Sequence, residues 1–475
     1  MIERVEGKRV HPQNGWLILT VCLGQVALIA LPFLNHEMAP FVVAVVLLST
    51  VALLSSMTFA VLYLCLISVV VPGKVFGDYL DLPLGFRFYE GLFALIVCLA
   101  VVCWLQERRL SWRRTRLDRP VVCFLALAVV SMGVGLYYGQ STFQMLWDIR
   151  YLFYYALFFS VTGFFDRRRS GTFLATVVLA SAVVGVEYLF EFLGMVNLSI
   201  AGSFYRVART EGLMLLIGAL VIATGLVYDP LPFRRRMGAL ALIPIGLALV
   251  LTVGRARWGA LIVGICCLGY LAIKDRQSSR ERRRRILSLL MVPVLIVGLG
   301  YAFQQVTGVG VRRVAFGRLV RAANYREDLS FVGRMVFYRL AAEKFLQRPL
   351  LGGGHGTTVS SLVLPPDGSP PFVFTTGMVD NVYLTVMMRM GIVGLAAFLW
   401  VFARGGRMAY RLFTERQAPQ VRQFCAAFLA VYAAMLVYGM ADATLVGNRL
   451  IFLHATFLGI LGRLDAEEKA DETPA

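Results

Sequence analysis

The sequence predicts an all-α fold: a polytopic transmembrane helix bundle of about 12–14 spans, with one large loop that itself contains helices. Three observations carry this. Apolar runs of about 20 residues recur from end to end. The 475-residue chain is 58% hydrophobic, with a mean hydropathy of +0.71. A single long polar stretch, residues 304–379, interrupts the apolar pattern.

The first apolar run, residues 15–34, follows Arg4, Lys8 and Arg9 and lacks a small-residue cleavage site. It reads as a retained helix, not a removed signal peptide. Residues 39–72 come next. As one straight helix they would measure about 51 Å, against a hydrocarbon core of about 30 Å. They read as two short helices turning near Ser55 and Ser56. Further spans are expected near 88–105, 120–138, 145–165, 172–192, 212–228, 237–254, 258–273, 286–303, 380–403, 423–439 and 448–462. Helices one to eleven thus occupy 1–303, the loop 304–379, and helices twelve to fourteen 380–463. An acidic tail, 464–475, is expected to be disordered.

Charge tests the count. With the amino terminus in the cytoplasm, the basic clusters at 106–119, 166–170, 229–236, 274–285 and 404–417 all fall inside. The positive-inside bias requires that placement. One helix over 39–72 would put most of these clusters outside. The formal charge of +19 is therefore largely a topology signal, and no nucleic-acid-binding motif accompanies it. Cys22, Cys65, Cys98, Cys103, Cys123, Cys266, Cys267 and Cys425 all sit in apolar runs and read as small hydrophobes. No spacing points to a metal site, and no cofactor is implied.

The large loop then faces outward although it carries eight Arg, one Lys and four acids. Long loops escape the charge rule. The excess suits a surface for an anionic group such as a diphosphate. Residues 331–348 read as an amphipathic helix, with Phe337, Ala341 and Phe345 in one stripe and Arg339 and Glu343 as an i,i+4 pair. Pro349 ends it. The run Gly352-Gly353-Gly354-His355-Gly356 follows a helix and lacks a Gly-Lys-Ser/Thr ending, so it is no nucleotide loop. Its glycines are expected to bring backbone close to a ligand.

Other outer turns add candidates. Residues 202–212 bring Arg206, Arg209 and Glu211, and residues 253–259 bring Arg255 and Arg257. Asp380 and Asn381 open the helix after the loop, where either could also serve as a helix N-cap. Guanidinium groups grip phosphate oxygens in a planar fork and stay charged. His355 and Asp380 are the candidates for a general base that takes a proton from an attacking hydroxyl.

In this order the features resemble the O-antigen ligase and polymerase superfamily. An arginine opens a helix after a short outer turn (Val253-Gly254-Arg255-Ala256-Arg257-Trp258). A large loop holds an arginine-led helix, from Gly333-Arg334 through Arg339 to Arg348-Pro349, and a glycine run. Then come Asn381-Val382-Tyr383-Leu384 and Gly391-Ile392-Val393-Gly394. Asp148-Ile149-Arg150-Tyr151-Leu152 looks like an upstream helix of the same family. The likeness spans about residues 145–403.

The charge pattern places both chain termini in the cytoplasm, and the resemblance implies an inverting, metal-independent glycosyl transfer on the periplasmic face of a bacterial inner membrane. The donor would be a polyprenyl-diphosphate-linked glycan, and the acceptor a lipid or another glycan among membrane lipids. Arg255 would hold the diphosphate, helped by Arg206 or Arg209. The histidine that usually precedes the motif's Asn is here Asp380, and the acid usually found later in that helix falls at Arg389. The expected catalytic set is therefore Asp380, His355 and Arg255. The substrate-binding set is Arg206, Arg209, Arg257, Arg334, Arg339, Asn381 and Tyr383. The alternative class is a transporter or flippase for a lipid-linked sugar. It would favour internal repeats and mid-membrane charge, whereas Glu187 and Glu191 sit near the outer end of their span.

Overall fold

A computed structural model describes residues 39–73, 75, 81–82, 85–106, 114–194, 211–229, 231–252, 254–275, 279–307, 329–363, 370–415 and 418–472. The expected first span at 15–34 and the arginines Arg206 and Arg209 lie outside the described residues. The protein is an all-α, multi-pass bundle. Among the described residues, eight helices are long and apolar enough to cross a membrane, and three shorter apolar helices accompany them.

The two helices expected in 39–72 are present as α1 (Ala39–Ser55) and α2 (Met57–Val70). Ser56 separates them in an extended conformation, and its hydroxyl accepts the Phe59 amide at 3.3 Å. A serine there satisfies one of the amides that open a helix. A two-residue hairpin, β1 (Asp81–Leu82) with β2 (Phe86–Arg87), leads into α3 (Phe88–Gln106), followed by α4 (Asp118–Tyr137). The span expected at 145–165 is broken instead. It comprises α5 (Thr142–Phe153), a 3-10 turn at Tyr154–Ala156, and α6 (Leu157–Phe164). Tyr154 and Tyr155 are both buried, and the Tyr155 hydroxyl donates to the Leu445 carbonyl at 3.0 Å. A continuous α-helix would point consecutive side chains about 100° apart.

Next come α7 (Ser170–Phe192), α8 (Gly212–Tyr228), α9 (Pro232–Thr252), α10 (Arg255–Lys274) and α11 (Ser279–Thr307). The loop region holds α12 (Leu329–Gln347) and an antiparallel hairpin of β3 (Val359–Val363) and β4 (Phe372–Thr376). Then follow α13 (Val382–Glu415), α14 (Pro419–Tyr438), the short α15 (Thr444–Gly447) and α16 (Ile451–Glu472). Residues 464–472, read from composition as a disordered tail, instead continue α16.

The chain divides into two compact units. In the smaller (1–115, 156–180 and 452–475), Tyr89 and Phe93 of α3 meet Phe452 of α16 at 5.9 and 5.3 Å between ring centres. Phe173 meets Phe457 at 4.8 Å. The larger (116–155 and 181–451) contains all the described candidate residues. At its centre α8 is apolar on all sides and buried along nearly its whole length, the pattern of a helix enclosed by other helices.

Helix ends in the larger unit sort into two sets. One gathers Gly212, Arg257, Tyr438 and Asp442. The other gathers Asp229, Asp275, Arg285 and Arg422, where Asp275 holds Arg285 at 2.5 Å and also pairs with Arg422. The starts of α8 and α10 thus share an end with the close of α14. Alternating spans require this parity.

The stripe expected on the loop helix packs inward. Ala341 is fully buried with Val359, Val379 and Met388, and Phe337 stacks edge-on against Phe374 of β4 at 5.7 Å.

Candidate active site

Asp380 precedes α13 in the larger unit. Its carboxylate receives the Arg334 Nε–H at 3.1 Å, and its side chain remains 56% exposed. Arg334 and Tyr338 are four residues apart on α12, so they share one face. The Tyr338 hydroxyl reaches the carbonyls of Asp380 and Met440, the latter at 3.1 Å. Asn381 donates to Met440 O at 3.2 Å and accepts the Leu384 amide at 3.0 Å. Asn381, and not Asp380, is therefore the cap of α13. That leaves the Asp380 carboxylate free of cap duty and turned toward Arg334.

A second carboxylate lies within electrostatic reach of this one. Asp442 accepts the Tyr438 hydroxyl at 3.0 Å and the Thr444 amide at 2.7 Å, which fixes it just beyond α14. The Asp380 pKa is raised, first by the protein that shields it from water and then by the Asp442 charge, while Arg334 opposes both. A carboxyl tuned upward while still open to solvent is suited to accept a proton.

Asp442 also ties Asp380 to the turn before α10. Tyr438 bonds the Arg257 guanidinium, which lies in the field of Tyr188 and Asp442. Gly212 makes room for it: a Cβ there would stand 2.6 Å from Arg257 Cζ and 2.7 Å from the Tyr188 hydroxyl. Beside it, Glu211 forms a buried ion pair with Arg449. Arg255, two residues earlier, is exposed at the first turn of α10. The opening amides of a helix and an arginine there make a ready anion site.

His355 is elsewhere. Along α13, Arg389 lies about 10 Å beyond the start of the helix, and His355 belongs to its surroundings. Arg389 pairs with Asp148 at 2.9 Å, with exposures of 3% and 1%. Asp148 also accepts the Gly356 amide at 3.1 Å and Gln144 at 3.0 Å. The His355 amide donates to the Ser131 carbonyl at 3.1 Å, and the Ser131 hydroxyl donates to the Arg389 carbonyl at 2.9 Å. The imidazole is buried and pushed down to about 3, by burial first and Arg389 second. A base that weak accepts protons poorly at neutral pH.

The glycine run packs closely against neighbouring helices. A Cβ on Gly354 would fall 2.2 Å from the Gly135 nitrogen of α4, and one on Gly352 2.5 Å from the Arg389 carbonyl carbon. Both glycines have positive φ. Their loop wedges between α4 and α13 at the kink of Gly391 (φ 65°).

Of the sequence candidates, Arg334, Asp380, Asn381 and Arg257 thus belong to one connected network. Tyr383 instead spends its hydroxyl on the Leu436 carbonyl at 2.5 Å, joining α13 to α14. Arg339 pairs with Glu343 at 2.9 Å on an exposed face. Sequence reading missed Tyr338, Tyr438 and Asp442. Asp442 had a signal, an acid between two apolar runs at the end of a span. The hairpin had one too: β-branched and aromatic residues flank Pro-Pro-Asp-Gly-Ser-Pro-Pro.

Residues 239–399 match the family described as O-antigen ligase. The match runs from α9 into α13, within the stretch of the sequence resemblance. It covers less than half of the chain, including Arg255, Arg257, Arg334 and Asp380 but not Asp148 or Asp442. No curated protein matches the chain significantly.

Proposed function

We propose that this multi-pass membrane protein, which carries an O-antigen ligase domain at residues 239–399, moves a glycan from a polyprenyl diphosphate to an acceptor hydroxyl. The observation that carries the reading is the Arg334–Asp380 pair with Asp442 behind it, at the helix ends that also bear Arg257. Asp380 takes the proton of the acceptor hydroxyl as the oxygen attacks the anomeric carbon. The carbon–oxygen bond to the diphosphate breaks on the opposite face, so the configuration inverts. The leaving diphosphate gains charge as it departs. Arg255 and the α10 N-terminus meet that charge with fixed donors and need no metal ion. Arg257 is a positioning residue, holding Tyr438 and through it Asp442.

The reaction is placed on the periplasmic face of the inner membrane, with the large loop and Asp380 outside and both chain termini in the cytoplasm. The basic clusters that sort to the other side support this orientation.

A gene-deletion strain tests the function. Its surface glycan and its carrier-linked pool are run side by side. Long polymer stranded on the carrier with bare acceptor identifies a ligase. Single repeat units without long chains identify a polymerase. An unchanged pattern across the strain's surface glycans contradicts the proposal.

A further inference from the structure

The large loop is a polar, basic stretch of sequence, yet its helix turns an apolar face outward. On α12, Phe331, Val332, Met335 and Val336 are each 38–40% exposed. One turn spacing puts Phe331 over Met335 and Val332 over Val336. Leu346 is 71% exposed on the same side, and the chain beyond the helix shows Leu350 at 68% and Leu351 at 43%. The opposite stripe is already spent on Val359, Val379 and Met388. Apolar surface of this extent outside a span marks a contact site.

The surface continues into a membrane span. A groove of about 670 Å³ is lined on one wall by Val130 and Val134 of α4 and by Tyr138 just beyond it, and on the other by Arg348, Leu350 and Leu351. On α4, Val129 and Val130 are 52% and 50% exposed, as lipid-facing residues of a span are. Tyr137 is 83% exposed at the close of that span, and the Arg348 guanidinium lies 3.2 Å over the Tyr138 ring. Tyrosine and arginine at a span end are the anchors of the headgroup layer. The polar members of the α12 face, Arg339 and Glu343, are an ion pair such a layer tolerates.

We infer that α12 and residues 346–351 lie in the headgroup layer of the bilayer, with lipid filling the groove between Leu350 and α4. The occupant is bilayer phospholipid. The lipid-facing wall of α4 runs into the groove without a break, and the loop's basic excess complements anionic headgroups. The consequence for the site rests on the proposed function. Arg334 and Tyr338 sit on this same helix, so a membrane-docked α12 sets Asp380 at the depth of a lipid's phosphates.

The test uses the full chain in phospholipid nanodiscs. A photoreactive benzophenylalanine replaces Met335, Val336 or Leu350 in turn. Val129 serves as the lipid-facing reference, and Lys344, on the other side of α12, as the reference facing away. Irradiated protein is digested and searched for phospholipid adducts by mass spectrometry. Adducts at Met335, Val336 and Leu350 within a few-fold of Val129, with at least tenfold less at Lys344, are expected. Labelling at Val129 alone, or adducts at the three sites only to protein, overturns the inference. The readout needs no transfer activity, so its failure is separate from failure of the proposed enzyme.

Discussion

Asp380 and Asp442 differ in what surrounds them, and that difference is measurable. The proton-accepting form of Asp380 is the carboxylate, so transfer is lost as pH falls through its pKa. Arg334 favours the carboxylate and Asp442 disfavours it. Arg334→Ala therefore moves the acid limb of the rate profile to higher pH, and Asp442→Asn moves it to lower pH. Transfer by the purified protein, followed across pH, reads both. Limbs that stay in place in both variants would remove Asp380 from the base role.

Asp148 and Arg389 make a different argument. Both are buried, and each is the other's charge partner. Removing one leaves an ion stranded in a low-dielectric interior, at a cost of roughly 3–5 kcal/mol. Asp148→Asn is expected to lower the thermal midpoint in detergent strongly. Asp148→Asn combined with Arg389→Met should regain part of that loss. These residues hold the loop in place, and Arg389 contributes structure in this chain.

At the scale of elements, the kink of α13 depends on one residue. Gly391 adopts φ 65° and ψ −166°, a region open in practice to glycine alone, and a Cβ there would fall 2.1 Å from the Leu350 carbonyl oxygen. Gly391→Ala costs about 1–3 kcal/mol in backbone strain, with the clash in addition. Loosened docking of residues 350–356, read by faster amide exchange across that segment, is the expected sign.

The sequence made the long elements plain because burying apolar surface in lipid leaves a run of fixed length. Residues 212–228 are read to the residue as α8, and Ser56 marks the α1–α2 turn. Residues 145–165 look continuous in the sequence because hydropathy is blind to a local change of turn type. The glycines of 352–356 stand out in the sequence, but the backbone they pack against does not. Spacing along the chain cannot tell a ligand from the backbone of a neighbouring helix. Asp380 could be named from the motif, whereas Tyr338, Asp442 and the Tyr438 that holds Asp442 become visible only when α12, α13 and α14 meet.

At the scale of the whole molecule, parity links topology to chemistry. The helix ends near Arg257, Tyr438 and Asp442 lie opposite those near Asp275, Arg285 and Arg422. Placing the basic clusters in the cytoplasm then puts Asp380 outside. A cysteine introduced at Ser360 of the exposed hairpin, in a background of the native cysteines replaced, should react with an impermeant maleimide in intact spheroplasts. One introduced at Arg283 should react only after lysis. The reverse pattern would invert the orientation proposed for the site.

The proposed reaction turns on Asp380 as the proton acceptor of glycan transfer. Its most direct test is complementation of the deletion strain with Asp380→Asn and Asp380→Glu, each checked for wild-type protein level in the membrane. Asp380→Asn is expected to lose about 10²–10⁴-fold in transfer, leaving carrier-linked glycan to accumulate, and Asp380→Glu to keep part of the activity. Wild-type glycan from a stably inserted Asp380→Asn variant would contradict it.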